Sequence, residues 1–212
     1  MLDPARGQGP LAPLHLAARA TRDFAGAAVF LGERRILGQI NVRLGAADTE
    51  AAAAAADAIG AALPDAPNTV SEGPQSTVLW LGPDEWLVAS TAGADANLQR
   101  NLDVALAAHH AAITDVSDLR AVIVLGGPRA RDVLAKGCSL DFHPRVFGSG
   151  RCAQTQLARA SVIIHQRATD PLFDIYVERS YAEYLWLWLE DAALEFAVVV
   201  ADLEGADLEG SG

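Results

Sequence analysis

Asp115, Ser117, Asp118 and Arg120 crowd two carboxylates, a hydroxyl and a guanidinium into one short stretch, Asp115-Val-Ser-Asp-Leu-Arg-Ala. Such a group could hydrogen-bond a polar ligand or a partner chain. The same residue types also build a capped turn entering a strand, because Asp and Ser oxygens accept backbone N–H groups two residues on. On the residues alone, the turn is the better reading.

Cys138, His143, Cys152 and His165 supply zinc-type ligands, but their separations contain no close C-x₂₋₄-C or H-x₃₋₅-H pair. Buried, free thiols and surface imidazoles are expected, with no metal. His109 and His110 are adjacent, and on a helix adjacent side chains diverge by about 100°. They read as helix-end residues favoured by the dipole. Gly126-Gly127-Pro128 could present a helix N-terminus to an anion. Pro128 removes one N–H, however, and no nucleotide-loop pattern completes the motif, so a tight strand-to-helix turn is expected. No Gly-x-Ser-x-Gly elbow, metalloprotease helix or local Cys–His signature occurs, and the carboxylates are scattered. No catalytic, cofactor-binding or metal-binding residue is therefore assigned. Tyr181, Tyr184, Trp186 and Trp188 spread aromatic area over more than one face of a single helix, which a partner surface or complete burial would explain.

The elements that must position these groups follow from periodicity and punctuation. Residues 1–15, with three Pro, read as an extended arm lacking its own core. Ile36, Ile40, Val42 and Leu44 mark a first strand over 35–44. Asp48 caps an Ala-rich helix running to Leu63 and stopped by Pro64. Ser76–Leu81 and Glu85–Ser90 form a hairpin around Gly82-Pro83-Asp84, followed by a helix over 95–110. Ala112–Asp115 and Arg120–Leu125 are strands. A helix then runs from Ala130 to Lys136, closed by Gly137. Cys152–Leu157, Ser161–His165 and Leu172–Glu178 are three further strands. Ser180 and Glu183 form a capping box for the last helix, whose stripe is Tyr181, Tyr184, Leu185, Trp188 and Leu189. Ala197–Ala201 is a candidate final strand. The fold class is α+β, antiparallel sheets with amphipathic helices packed on them. The expected divisions are an arm and lead-in at 1–34, a domain at 35–201 and an acidic tail at 202–212.

The 212 residues are 51% apolar, enough for a substantial core. A net charge of −11 disfavours a nucleic-acid partner. No signal-peptide order and no apolar run of membrane-spanning length is visible, so a cytoplasmic protein without membrane contact is expected.

Three blocks carry a family resemblance. Ile113-Thr-Asp-Val-Ser-Asp-Leu-Arg-Ala-Val-Ile-Val-Leu-Gly-Gly-Pro, continuing to Pro144, resembles the gamma subunit of heterotetrameric sarcosine oxidase. So do Gly150-Arg-Cys-Ala-Gln-Thr, continuing to Ala160, and Phe173-Asp-Ile-Tyr-Val-Glu-Arg-Ser-Tyr-Ala-Glu-Tyr-Leu-Trp-Leu-Trp-Leu. The hairpin Leu79-Trp-Leu-Gly-Pro-Asp-Glu-Trp-Leu also fits. The resemblance implies a fold related to the tetrahydrofolate-binding aminomethyltransferase. It implies alpha, beta and delta partner subunits, with FAD, FMN, NAD and tetrahydrofolate held by those partners and no cofactor in this chain. The complex so implied oxidises sarcosine to glycine, passes the one-carbon unit to tetrahydrofolate and forms hydrogen peroxide. The alternative on the same fold is a stand-alone folate-binding or aminomethyltransferase-like protein.

Overall fold

The computed structural model describes residues 9–34, 38–45, 47–90 and 95–203. Five α-helices occur among them: α1 (Leu16–Arg19), α2 (Thr49–Ile59), α3 (Asp95–Ala105), α4 (Ala130–Ala135) and α5 (Arg179–Ala193). The strands are β1 (Phe30–Arg34), β2 (Gly38–Leu44), β3 (Val70–Glu72), β4 (Ser76–Gly82), β5 (Glu85–Ser90), β6 (Ala111–Asp115), β7 (Arg120–Gly126), β8 (Arg151–Leu157), β9 (Ala160–Ala168), β10 (Leu172–Glu178) and β11 (Val199–Val200).

Interstrand hydrogen-bond ladders gather the strands into two sheets. One has the order β11-β1-β7-β10-β9-β8, the other β3-β4-β5-β2-β6. All named strand pairs are antiparallel except β1 with β11. Phe173, Ile175 and Val177 of β10 point to the face covered by Val133 and Leu134 of α4 and by Leu185, Trp186 and Leu189 of α5. Ile40, Val42, Val78 and Val88 of the other sheet pack under Ala51, Ala55 and Ile59 of α2 and Leu98 and Leu102 of α3. The remaining faces meet each other through Leu79, Leu87 and Ala89 on one side and Val122, Cys152, Ile163 and Tyr176 on the other. The result is a helix–sheet–sheet–helix stack, the α+β class expected, built because each sheet has two apolar faces to bury.

Several elements differ from the sequence reading. Leu11 is buried in the core of the six-stranded sheet, beside Leu14 and Leu16, and residues 12–19 form short helical turns. Residues 9–15 are thus packed, not an extended arm, and the sheet begins at Phe30, ahead of the strand expected at 35–44. Residues 35–37 of that expected strand, and 204–212 of the acidic tail, lie outside the described residues. Helix α2 is capped by Asp48, whose carboxylate accepts from Ala51 N at 2.9 Å, but it stops at Gly60, where φ is +74°. Left-handed glycine ends the helix before Pro64 can. Helix α3 ends at Ala105, so His109 and His110 are not helical. Gly137 is not left-handed; a Cβ there would lie 2.4 Å from the Trp188 ring, and close approach of the indole is what requires Gly. Helix α5 starts at Arg179, without a side-chain cap bond, so no Ser180 capping box forms.

Candidate functional site

The Asp115–Arg120 segment connects β6 of the five-stranded sheet to β7 of the six-stranded sheet, and its polar atoms fasten that passage. Asp115 Oδ1 accepts from Ser117 N at 2.9 Å and Ser117 Oγ at 2.5 Å. The Ser117 hydroxyl bond, reinforced by the backbone N–H, holds the Asp115 carboxyl below the usual carboxylate range. Ser117 Oγ in turn accepts from Gln39 N at 3.0 Å, and the buried Gln39 side chain donates to the Arg120 carbonyl at 3.1 Å. Asp118 pairs with Arg179 at 3.2 Å, while Arg179 N donates to the Leu119 carbonyl at 3.0 Å. Arg120 lies opposite Glu178 in the β7–β10 register. Burial lowers its guanidinium pKa, opposed by Glu178 and Glu85. The chemistry available here is mechanical: β2, β6, β7 and the start of α5 are bolted together.

The other candidates separate in space. Cys138 sits on the helix-covered face of the six-stranded sheet, whereas Cys152 belongs to the inter-sheet face. The sheet itself stands between the two thiols. Cys152 is opposite His165 in the β8–β9 register, and its thiol lies 3.4 Å from the Thr69 carbonyl. Burial pushes that thiol up to about 11. His165 is fully buried within the sheet, not the surface imidazole expected. His143 is an exposed loop residue whose Nδ1 accepts from Arg145 N at 3.2 Å. Both cysteines are free.

At the strand-to-helix turn, Gly127 N donates to the Pro171 carbonyl at 3.0 Å and Arg129 N to the Ala28 carbonyl at 3.0 Å. The donors an anion would need are already used. Gly127 has φ +102°, and a Cβ on Gly126 would enter the Phe30 ring. His109 Nδ1 lies 3.1 Å from Asp48 Oδ2, joining the segment after α3 to the N-terminus of α2. That bond and the Ala51 N–H hold the Asp48 carboxyl low, the backbone bond being the larger cause.

The sequence reading missed one cluster. Asp174 is wholly buried on the inter-sheet face of β10, with Arg34 Nε 3.1 Å from one oxygen and Arg167 Nη1 3.3 Å from the other. Tyr176 is on the same face, and its hydroxyl pKa is driven far up by burial and then by the Asp174 charge. The readable signal was a lone acid in Phe173-Asp-Ile-Tyr-Val, where strand alternation places Asp174 opposite to three apolar neighbours. On α5 the burial is split: Trp186 is fully enclosed, whereas Tyr181 and Tyr184 are exposed.

The sarcosine oxidase, gamma subunit family matches residues 43–195, which include the Asp115–Arg120 segment, the Asp174 strand and α5. The chain belongs to this family. Sarcosine oxidase subunit gamma of Corynebacterium sp. (strain P-1) is 36% identical over 184 residues, 86% of this chain and 89% of that relative. Among solved structures, a chain of the heterotetrameric sarcosine oxidase from Corynebacterium sp. U-96, in complex with pyrrole 2-carboxylate, is 36% identical. It superposes with a TM-score of 0.79, covering 90% of this chain and 96% of that one. The glycine cleavage system aminomethyltransferase T from Bartonella henselae is 15% identical with a TM-score of 0.66, covering 91% of this chain and 58% of that one. The second likeness shows a shared fold. For this gamma-family chain the Asp115 motif is thus the crossover between the two sheets.

Proposed function

We propose that this chain is the non-catalytic gamma subunit of a heterotetrameric sarcosine oxidase and serves its assembly. The observation that carries the reading is the end-to-end likeness to a chain of the heterotetrameric enzyme, at 36% identity over 96% of that chain. The engagement of Asp115 and Ser117 with one another and with the backbone of Gln39 supports a structural role, since these polar atoms are committed to the fold. The partners are the alpha, beta and delta subunits, which hold FAD, FMN, NAD and tetrahydrofolate. The complex converts sarcosine to glycine, delivers the one-carbon unit to tetrahydrofolate and releases hydrogen peroxide. No described helix is long and apolar enough to cross a membrane, and a cytoplasmic location is part of the proposal.

The test is expression of the alpha, beta and delta subunits with and without this chain. The expected result is a stable four-subunit complex only when it is present, with the Asp115→Ala and Arg120→Ala variants lowering the amount assembled but not turnover per flavin. A fall in turnover at full assembly would overturn the non-catalytic assignment. Calorimetric titration of the isolated chain with tetrahydrofolate is expected to give no binding heat; tight binding would favour the folate-dependent alternative.

A further inference from the structure

Helix α5 has two unlike faces. Ala182, Leu185, Trp186, Leu189 and Ala193 are buried against the six-stranded sheet and its core. On the other flank Tyr181 is 44% exposed, Tyr184 37% and Leu187 48%, with Leu194 at 69% just beyond the helix. At 100° per residue these four positions fall within a sector of about 140°. The Tyr181 and Tyr184 rings meet edge to face, 6.5 Å between centroids and 82° between planes, and so form one aromatic unit. The Arg179 N to Leu119 carbonyl bond, 3.0 Å, brings Leu119, itself 43% exposed, to the N-terminal end of the same helix.

The charges beside this stripe distinguish between occupants. Glu190 pairs with Arg19 and Glu195 with Lys136, but exposed Glu183 and Asp191 have no cation among the described residues. A second copy would bring Glu183 and Asp191 against themselves, on chains already carrying a net charge of −11. The acidic 202–212 segment would be repelled for the same reason. A different protein, with apolar surface edged by Arg or Lys, would satisfy both the tyrosines and the two acids.

We propose that the Tyr181–Tyr184–Leu187–Leu194 flank of α5, extended by Leu119, is the surface on which this chain docks a basic-edged partner subunit. This rests on the complex-subunit reading above. The test is co-expression with affinity-tagged alpha, beta and delta subunits, quantifying this chain in the purified complex. Wild type is expected in stoichiometric amount. The Y184E/L187E double variant is expected to fall at least tenfold, while retaining the far-UV circular dichroism of wild type. The exposed-charge variant E183K/D191K, which disturbs no core residue, is expected to fall several-fold at low salt. Val104→Glu, on the exposed side of α3, is expected to assemble normally. Wild-type recovery of both α5 variants would overturn the docking surface while leaving the subunit reading intact. Failure of wild type to co-purify would instead remove the subunit reading, and this surface with it. A stable homodimer by light scattering, dispersed by Y184E/L187E, would assign the surface to a second copy and overturn the proposal.

Discussion

Arg34 and Asp174 are joined at 3.1 Å although their strands are not neighbours, because β7 runs between β1 and β10. Arg34 is opposite Val122 and Asp174 is opposite Val124, so the ion pair passes diagonally over two valines of the intervening strand. With Arg167 on the other oxygen, Asp174 ties three strands of the six-stranded sheet together on the face that meets the second sheet.

Removing the acid from this arrangement leaves two guanidinium groups facing an apolar interface. Asp174→Ala is therefore expected to destabilise the chain by about 3–5 kcal/mol. A urea unfolding curve with an unchanged midpoint would contradict the role assigned to the cluster.

Asp48 has a folded-state pKa lowered from an ordinary 3.8 by its bond to Ala51 N and by His109. A depressed carboxylate stabilises the fold above its unfolded pKa, and that contribution disappears as pH falls through the folded value. Thermal melts of Asp48→Ala should lie below wild type at neutral pH, and the two should converge in the acid range below about pH 4. Parallel curves at all pH values would show that the carboxylate charge is not what α2 uses.

Gly137 faces the distal carbons of the Trp188 indole at 2.4 and 2.5 Å from where a Cβ would stand. Gly137→Ala should cost about 1–3 kcal/mol by overpacking. Adding Trp188→Phe, which removes those carbons, should recover part of the loss. Equal stabilities of the single and double variants would reject the steric explanation.

The two free thiols are both buried, and burial raises that of Cys152 to about 11. Neither should react rapidly with a disulfide reagent at pH 8 in the native chain, and both should react after denaturation. One fast-reacting thiol in the folded protein would show that one of the two is accessible.

What could be read from the sequence was governed by how far along the chain each bond reaches. The Asp48 cap and the Asp115–Ser117 turn were legible because donor and acceptor are two or three residues apart. The hairpin carrying Trp80 and Trp86 was legible for the same reason, and in the sheet those two residues are cross-strand partners. The Arg34–Asp174 pair was not, since it links positions 140 apart. Strand β1 was hidden by its composition: Gly32, Glu33 and Arg34 look like a loop until β7 and β11 flank them. Gly137 resembled a helix stop because nothing local reveals that Trp188 arrives there. On α5, spacing located the helix but placed Tyr181 and Tyr184 on the packed stripe, where Ala182 and Trp186 lie instead.

The β1–β7 pairing also orders events during synthesis. Phe30 pairs with Gly126 and Arg34 with Val122, while every strand of the five-stranded sheet lies between them, from Gly38 to Asp115. A ribosome that has released Asp115 has delivered all of that sheet but just one strand of the other. Every strand of that layer has therefore been synthesised before the sheet partner of β1, strand β7, exists. Folding that layer also draws Arg34 and Arg120 together, shortening the loop that β1 and β7 must close. The topology thus places one whole sheet ahead of five of the six strands of the other, with β11, the second neighbour of β1, last in the chain.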